Sequence, residues 1–165
     1  MYKELLNFCT VDLSSFYFDI RKDTLYCDKK DSDKRQGCVL ILNTILDALL
    51  KWFAPILSFT TEEIFSLLNK DEKNSIHLKK FPEFPKSWKD DKLNDNWNKI
   101  NKIRDIANIS IEEKRAAKTI GSSLETAIDI TLSKELYDLA KKYDFSEICI
   151  TSLANTILDE NAKDN

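Results

Sequence analysis

Basic side chains crowd two parts of this sequence. Arg21, Lys22, Lys29, Lys30, Lys34 and Arg35 make up the first group; Lys102, Arg104, Lys114, Arg115 and Lys118 make up the second. Tyr17, Tyr26 and Trp52 lie in or near the first group. Cations neutralise phosphates, and aromatic or guanidinium planes stack on splayed bases, so the combination suits the single-stranded loop of an RNA hairpin. Alternating signs, as in DKKDSDK at 28–34, are also the mark of a solvated surface. Composition alone favours that plainer reading. Tyr17 and Trp97 in particular sit on apolar faces, where packing is the commoner role for a ring.

Other chemistries are poorly supplied. Two glycines cannot build a phosphate-cradling loop. The one histidine, His77, has no companion acid or thiol set out for catalysis, so a solvent-facing or locally hydrogen-bonded imidazole is expected. Glu62 and Glu63 lack the Glu-x-x-His partners of a bundle metal site and are better read as first-turn acids facing a helix dipole. The four cysteines, Cys9, Cys27, Cys38 and Cys149, show no metal-ligand rhythm and are expected as reduced, mostly buried thiols. No catalytic residue and no metal ligand is assigned.

The elements that must position the cations are mostly helical. Leu13, Phe16, Tyr17 and Ile20 form one 3.6-residue stripe, extended backward by Leu5, Leu6 and Cys9, and predict a helix over 3–22. That stripe is under way at Met1 without a capping residue, which suggests a chain cut from something longer. A second helix from about Ser32 to Ala54 carries Leu42, Ile45, Leu46, Leu49, Leu50 and Phe53, and Pro55 ends it. Thr60 with Glu63 reads as a capping box opening a short helix, Thr61 to Leu68. Residues 69–92, broken by Pro82 and Pro85, read as irregular. Trp97, Ile100, Ile103, Ala107 and Ile111 mark a helix from about Asp91 to Ala117, with Gly121 as its left-handed stop. Beyond it the period becomes two. Ile128, Ile130 and Leu132 predict a strand, Ser133 caps a helix bearing Leu136, Leu139, Ala140 and Tyr143, and Glu147 to Thr151 reads as a second strand.

At 165 residues and 42% hydrophobic, the chain can bury a core, and its three prolines and two glycines favour long regular elements over a turn-rich sandwich. The net charge of −3 means that any RNA contact must come from a local positive face. No signal peptide and no apolar run of membrane-spanning length is evident, so the cytoplasm is the expected compartment and no membrane partner is expected.

Three blocks in order carry a family resemblance: NFCTVDLSSFYFDIRKDTLY at 7–26, APILSFTTEEIF at 54–65 and KTIGSSLETAIDI at 118–130. Together they resemble the C-terminal anticodon-binding region of isoleucyl-tRNA synthetases, class I enzymes, over about Tyr2 to Ile157. Valine and leucine enzymes share the proline-broken APIL-like passage, whereas the K-x-I-G-x-S-L-E pattern from Lys118 to Glu125 inclines towards isoleucine. The resemblance implies a mainly α fold, with a helical anticodon-binding bundle at 1–120 and a small β-α-β lobe at 121–158; the polar tail at 159–165 is expected to be disordered. It implies a partner, the anticodon stem-loop of the isoleucine tRNA, gripped while the catalytic portion of the same synthetase works elsewhere. ATP and Mg²⁺ would belong to that portion and no cofactor to this one.

The resemblance reverses the balance between RNA binding and mere solvation. Arg21, Lys22, Tyr26, Lys34, Arg35, Trp52, Arg104, Lys114, Arg115 and Lys118 become the candidate tRNA contacts, the cations for phosphate and Tyr26 or Trp52 for stacking. Some features depart from the family. The HIGH-like and KMSKS-like catalytic blocks are absent, so the chain is expected to be inactive alone. The bundle normally starts one helix earlier, which would leave a groove exposed, and no cysteine-rich zinc lobe is present. Phe65 stands where a tryptophan is expected after the paired glutamates. A helical protein-interaction module and the equivalent domain of a valine enzyme remain as alternatives.

Overall fold

The computed structural model describes residues 2–69 and 74–159. They divide into two compact units, Arg21–Lys89 and the pair of segments Met1–Ile20 with Asp90–Asn165. This division differs from the chain-order boundary expected at 120/121, because the first twenty residues group with the C-terminal part. The mainly α class with a small β-α-β lobe holds. The tail expected to be disordered lies, beyond Asp159, outside the described residues.

In Arg21–Lys89 the chief elements are helices α3 (Asp33–Phe53) and α4 (Ser58–Leu68). Ser32 caps α3, its hydroxyl accepting from the Arg35 amide at 3.3 Å. Pro55 breaks the run as expected, and the chain turns over residues 54–57 through hydrogen bonds that the Ile56 and Leu57 amides donate to Phe53 O. The capping box at Thr60 and Glu63 does not form. Helix α4 begins at Ser58, so Thr60 lies inside it, and the Ser58 and Thr61 hydroxyls instead donate back to the Ala54 and Leu57 carbonyls. Leu50, Ala54, Phe65 and Ile76 make the core, with Leu46 and Ile64 against it. Phe65 fills its place and is buried, with Lys79 Nζ 5.6 Å from its ring centroid. The Glu62 carboxylate accepts from Ser75 Oγ at 2.8 Å and from the Ile76 amide at 3.0 Å, pinning the chain that returns to α4. His77 is exposed, its Nε2 3.3 Å from Ser58 O.

Contrary to the sequence expectation, α3 is by length and composition long and apolar enough to cross a membrane, with a mean hydropathy of 1.3 over its best window. Its charged residues gather at the two ends, Asp33, Lys34 and Arg35 at one and Asp47 and Lys51 near the other, leaving the middle apolar. Leu50 of this helix belongs to a packed core, the ordinary role of an apolar helix face.

The other unit is built on α5 (Asp91–Ala116) and a lobe of β1 (Ala127–Leu132), α6 (Lys134–Ala140), α7 (Phe145–Cys149) and β2 (Leu153–Leu158). Asp90 caps α5 by accepting from the Leu93 amide at 2.9 Å. The apolar face of α5 behaves as its spacing dictates. Ile100, Ile103 and Ile111 are buried, and Trp97 and Ala107 are half-buried. Ile100 and Ile103 meet Leu132, Leu139, Ala140, Phe145, Ile148 and Cys149 in one cluster. The strands pair in parallel, Ala127 opposite Leu153 and Leu132 opposite Leu158.

Four local expectations change. The helix predicted at 3–22 is helical from Tyr2 to Tyr26, but Phe8–Phe18 winds as a π-helix between α1 (Tyr2–Asn7) and α2 (Asp19–Tyr26). Thr10 Oγ1 donates to Leu6 O and Ser15 Oγ to Thr10 O, both at 2.8 Å, so hydroxyls compete for carbonyls that an α-helical ladder would use. The left-handed residue closing α5 is Lys118 (φ 56°), not Gly121. The Thr119 and Lys118 amides reach Lys114 O and Arg115 O, a Schellman closure made with a lysine. Gly121 instead donates its amide to Glu125 Oε2 at 2.9 Å. Ser133 occupies the position before α6, yet its hydroxyl makes no capping bond. The second strand is Leu153–Leu158, because Asp144 accepts from the Ser146 and Glu147 amides and starts a helix where a strand was expected. Ile150 (φ 55°) ends that helix.

None of the four cysteines is in a disulfide: Cys38 and Cys149 are buried, Cys9 half-buried and Cys27 exposed. Burial pushes the Cys149 thiol up to about 11, with the nearby Arg104 charge opposing the shift. Alkylation at pH 8 followed by peptide mapping should therefore label Cys27 first and leave Cys149 unreacted until the protein unfolds. Ile100→Ala should cost about 2–5 kcal/mol in denaturant-monitored unfolding, since its side chain is fully enclosed.

Candidate nucleic-acid interface

The balance of charge differs sharply between the two units. Arg21–Lys89 has thirteen basic and ten acidic residues, a net +3, while the remainder has twelve basic and eighteen acidic, a net −6. The acidic total of the chain thus conceals one electropositive unit, the local condition that phosphate binding requires.

Within that unit α2 leads through a short turn into α3, and this corner gathers much of the first cation group. Cys27 and Asp28 amides both return to Asp23 O, closing α2, and the Ser32 amide bonds Lys29 O. Arg35 is half-buried and donates from Nη1 to Asp28 O at 3.3 Å, so it braces the turn from the first turn of α3. Gln36 Nε2 donates to Lys30 O across the same turn. Lys22, Lys29, Lys30 and Lys34 are exposed around it, and Arg21 is half-buried. Arg21, Lys22 and Lys34 also take part in interactions within the protein. Tyr26, at the C-terminal end of α2, is 84% exposed, which suits a ring that stacks on a partner. Trp52 lies farther along α3, half-buried, with its ring edge-on to Phe84.

The cations of the other unit have more varied surroundings. Arg104 is half-buried, donates from Nε to Ile148 O at 3.1 Å and lies 4.7 Å from the Phe16 ring centroid, which ties it to the packing of that unit. Arg115 Nη1 pairs with Glu112 Oε1 at 2.6 Å on the surface of α5. Lys114 and Lys118 are exposed at the end of α5, where lysine also complements the helix dipole. A groove of about 740 Å³ lies between α5 and β1, with Lys99, Lys102 and Lys114 on the helix side and Ile128 and Ile130 on the strand. Lys99 forms an ion pair with Glu135 at its rim. Among the described residues no group of three or more His, Cys, Asp or Glu side chains could hold a metal ion.

Two residues escaped the sequence reading. Phe84 and Trp88, 43% and 63% exposed, continue a row of rings from Trp52. The available signal was the aromatic-proline-lysine alternation of FPEFPKSWK at 81–89, which has no helical or strand period to draw attention to it.

Comparison with known proteins completes the picture. Residues 1–132 match the family described as the anticodon-binding domain of tRNA ligase. The isoleucine–tRNA ligase of Pelagibacter ubique is 64% identical over 154 residues, covering 93% of this chain and 17% of that protein. The isoleucine–tRNA ligases of Agrobacterium fabrum and Rhodopseudomonas palustris are each 44% identical, over 98% and 91% of the chain. This chain spans 17% and 15% of those two, so about one-sixth of the relatives' length. A helical scaffold presenting a basic corner, a match over four-fifths of the sequence and identities of this size lead to one assignment: the chain belongs to the anticodon-binding domain family of tRNA ligases.

Proposed function

We propose that this chain is the module with which an isoleucine–tRNA ligase grips the anticodon stem-loop of its tRNA during protein synthesis in the cytoplasm. The observation that carries the reading is 64% identity to an isoleucine–tRNA ligase across nearly the whole chain, together with the family match. The same relatives favour isoleucine over the valine alternative. The electropositive unit supports an RNA partner, with Lys22, Lys34, Arg21 and Arg35 of the α2–α3 corner contacting phosphate and Tyr26 stacking on a base. Lys114, Lys118 and Arg115 are secondary contacts at the end of α5, and Arg104 acts through the packing it stabilises.

Under this reading the module does no bond-making of its own. Binding energy gained at the anticodon selects the tRNA and positions the distant acceptor end for aminoacylation, a use of remote contacts that raises the rate of the correct reaction. ATP and Mg²⁺ act in the catalytic portion. Exposed apolar side chains such as Leu40 (68%) and Phe59 (92%) support packing against the rest of the ligase.

Filter-binding or fluorescence titration across a salt series tests the proposal. Affinity for isoleucine tRNA should fall by about 0.7–0.9 log units per log unit of salt for each phosphate neutralised. Lys34→Ala should lower that slope by roughly one phosphate's share and weaken all tRNAs alike. Changing the anticodon should weaken binding beyond any change in salt slope; indifference to the anticodon would reject the isoleucine assignment.

A further inference from the structure

Trp52, Phe84 and Trp88 form a row of rings outside the buried cluster of Leu50, Ala54, Phe65 and Ile76. Trp52 meets Phe84 edge-on, with centroids 5.9 Å apart and planes at 64°, and Phe84 lies 5.6 Å from Trp88 at 31°. Exposure rises along the row, from half-buried Trp52 to 43% at Phe84 and 63% at Trp88. The inner ring is anchored on α3, and the outer ones are held by a stiff segment. Pro82 and Pro85 flank Phe84, and Trp88 closes a single 3₁₀ turn, Lys86–Trp88, by donating its amide to Pro85 O at 3.0 Å. Proline leaves few backbone states, so the indole is held outward with little entropy left to lose on meeting a partner.

The charge around the row decides what that partner is. Residues 79–89 contain four lysines against one glutamate, and Lys80 and Lys86 are exposed. Protein-binding patches are depleted in lysine at their centres. A ring beside lysines is instead the chemistry that receives an unpaired base together with its phosphate. We infer that Trp88, backed by Phe84 and Trp52, is a stacking platform for an unpaired nucleobase of the bound RNA, with Lys86 positioned for the adjoining phosphate. The inference rests on the RNA-binding function proposed above and adds the residues that meet the base.

The test titrates the chain with a synthetic anticodon stem-loop hairpin and, separately, with a blunt RNA duplex that has no unpaired bases, following affinity and tryptophan emission together. Stacking should quench emission with the hairpin. Trp88→Ala should weaken hairpin binding by about tenfold or more, abolish most of that quenching, and leave the salt slope and the duplex affinity unchanged. Trp88→Leu, which keeps apolar bulk without a ring, should match Trp88→Ala, and Trp88→Phe should recover most of the affinity. Should Trp88→Ala fail to fold, the contrast between Trp88→Leu and Trp88→Phe decides. Wild-type hairpin affinity and quenching in the ring-less variants would overturn the platform while leaving the RNA-binding function intact, as would an equal loss on hairpin and duplex. Failure of the unsubstituted chain to bind the hairpin would reject the RNA-binding function, and the platform with it.

Discussion

The apolar face of α5 is the constraint around which residues 90–159 are arranged. A 26-residue helix with Ile100 and Ile103 on one side cannot stand in water, and a parallel two-stranded sheet is too small to be stable alone. Each solves the other's problem. Leu132, Leu139, Phe145 and Ile148 close over the isoleucines, and α6 and α7 supply the covering layers that parallel strands require. Arg104 belongs to the same arrangement, because its guanidinium satisfies a carbonyl of α7 while lying over the Phe16 ring.

Arg21–Lys89 works by a different economy of groups. Its core is small, and much of its polar chemistry is spent on turns. Glu62 holds the returning chain, Ser32 caps α3, and Arg35 braces the corner before it. A rigid corner matters for a protein that binds a charged polymer, since cations presented on fixed backbone lose less freedom when they meet phosphate. Positive charge is also concentrated in this unit, at net +3 against −6 in the remainder. Under the proposed function it would orient an approaching polyanion before contact, a benefit that an evenly mixed surface would lack.

Long apolar stripes were legible in the sequence, and short features were not. The faces of α3 and α5 follow directly from their spacing, and Pro55 stops α3 for the reason its ring dictates. What failed were choices among competing local hydrogen bonds. Thr60 looked like a cap, but the helix starts two residues earlier, and the Ser58 and Thr61 hydroxyls bond back to the carbonyls four residues before them. Gly121 looked like a stop, but a lysine three residues earlier takes the left-handed conformation. The alternation at 147–151 resembled a strand until Asp144 is recognised as a helix start. For the candidate interface, residue type identified the cations, whereas only the fold shows that Lys22 and Lys34 are exposed while Arg104 is half-buried against Ile148 O and the Phe16 ring. Phe84 and Trp88 were invisible for want of any period.

The parallel pairing of β1 with β2 carries a consequence for the order of assembly. Parallel strands cannot zip outward from a tight turn as a hairpin does. Ala127 leaves the ribosome twenty-six residues before its partner Leu153. Until then β1 has no ladder to join, and the connection between the two strands is taken up by α6 and α7, which pack with α5 in one cluster. Pairing the two strands therefore closes a twenty-six-residue loop, a non-local contact whose closure entropy a hairpin would not face.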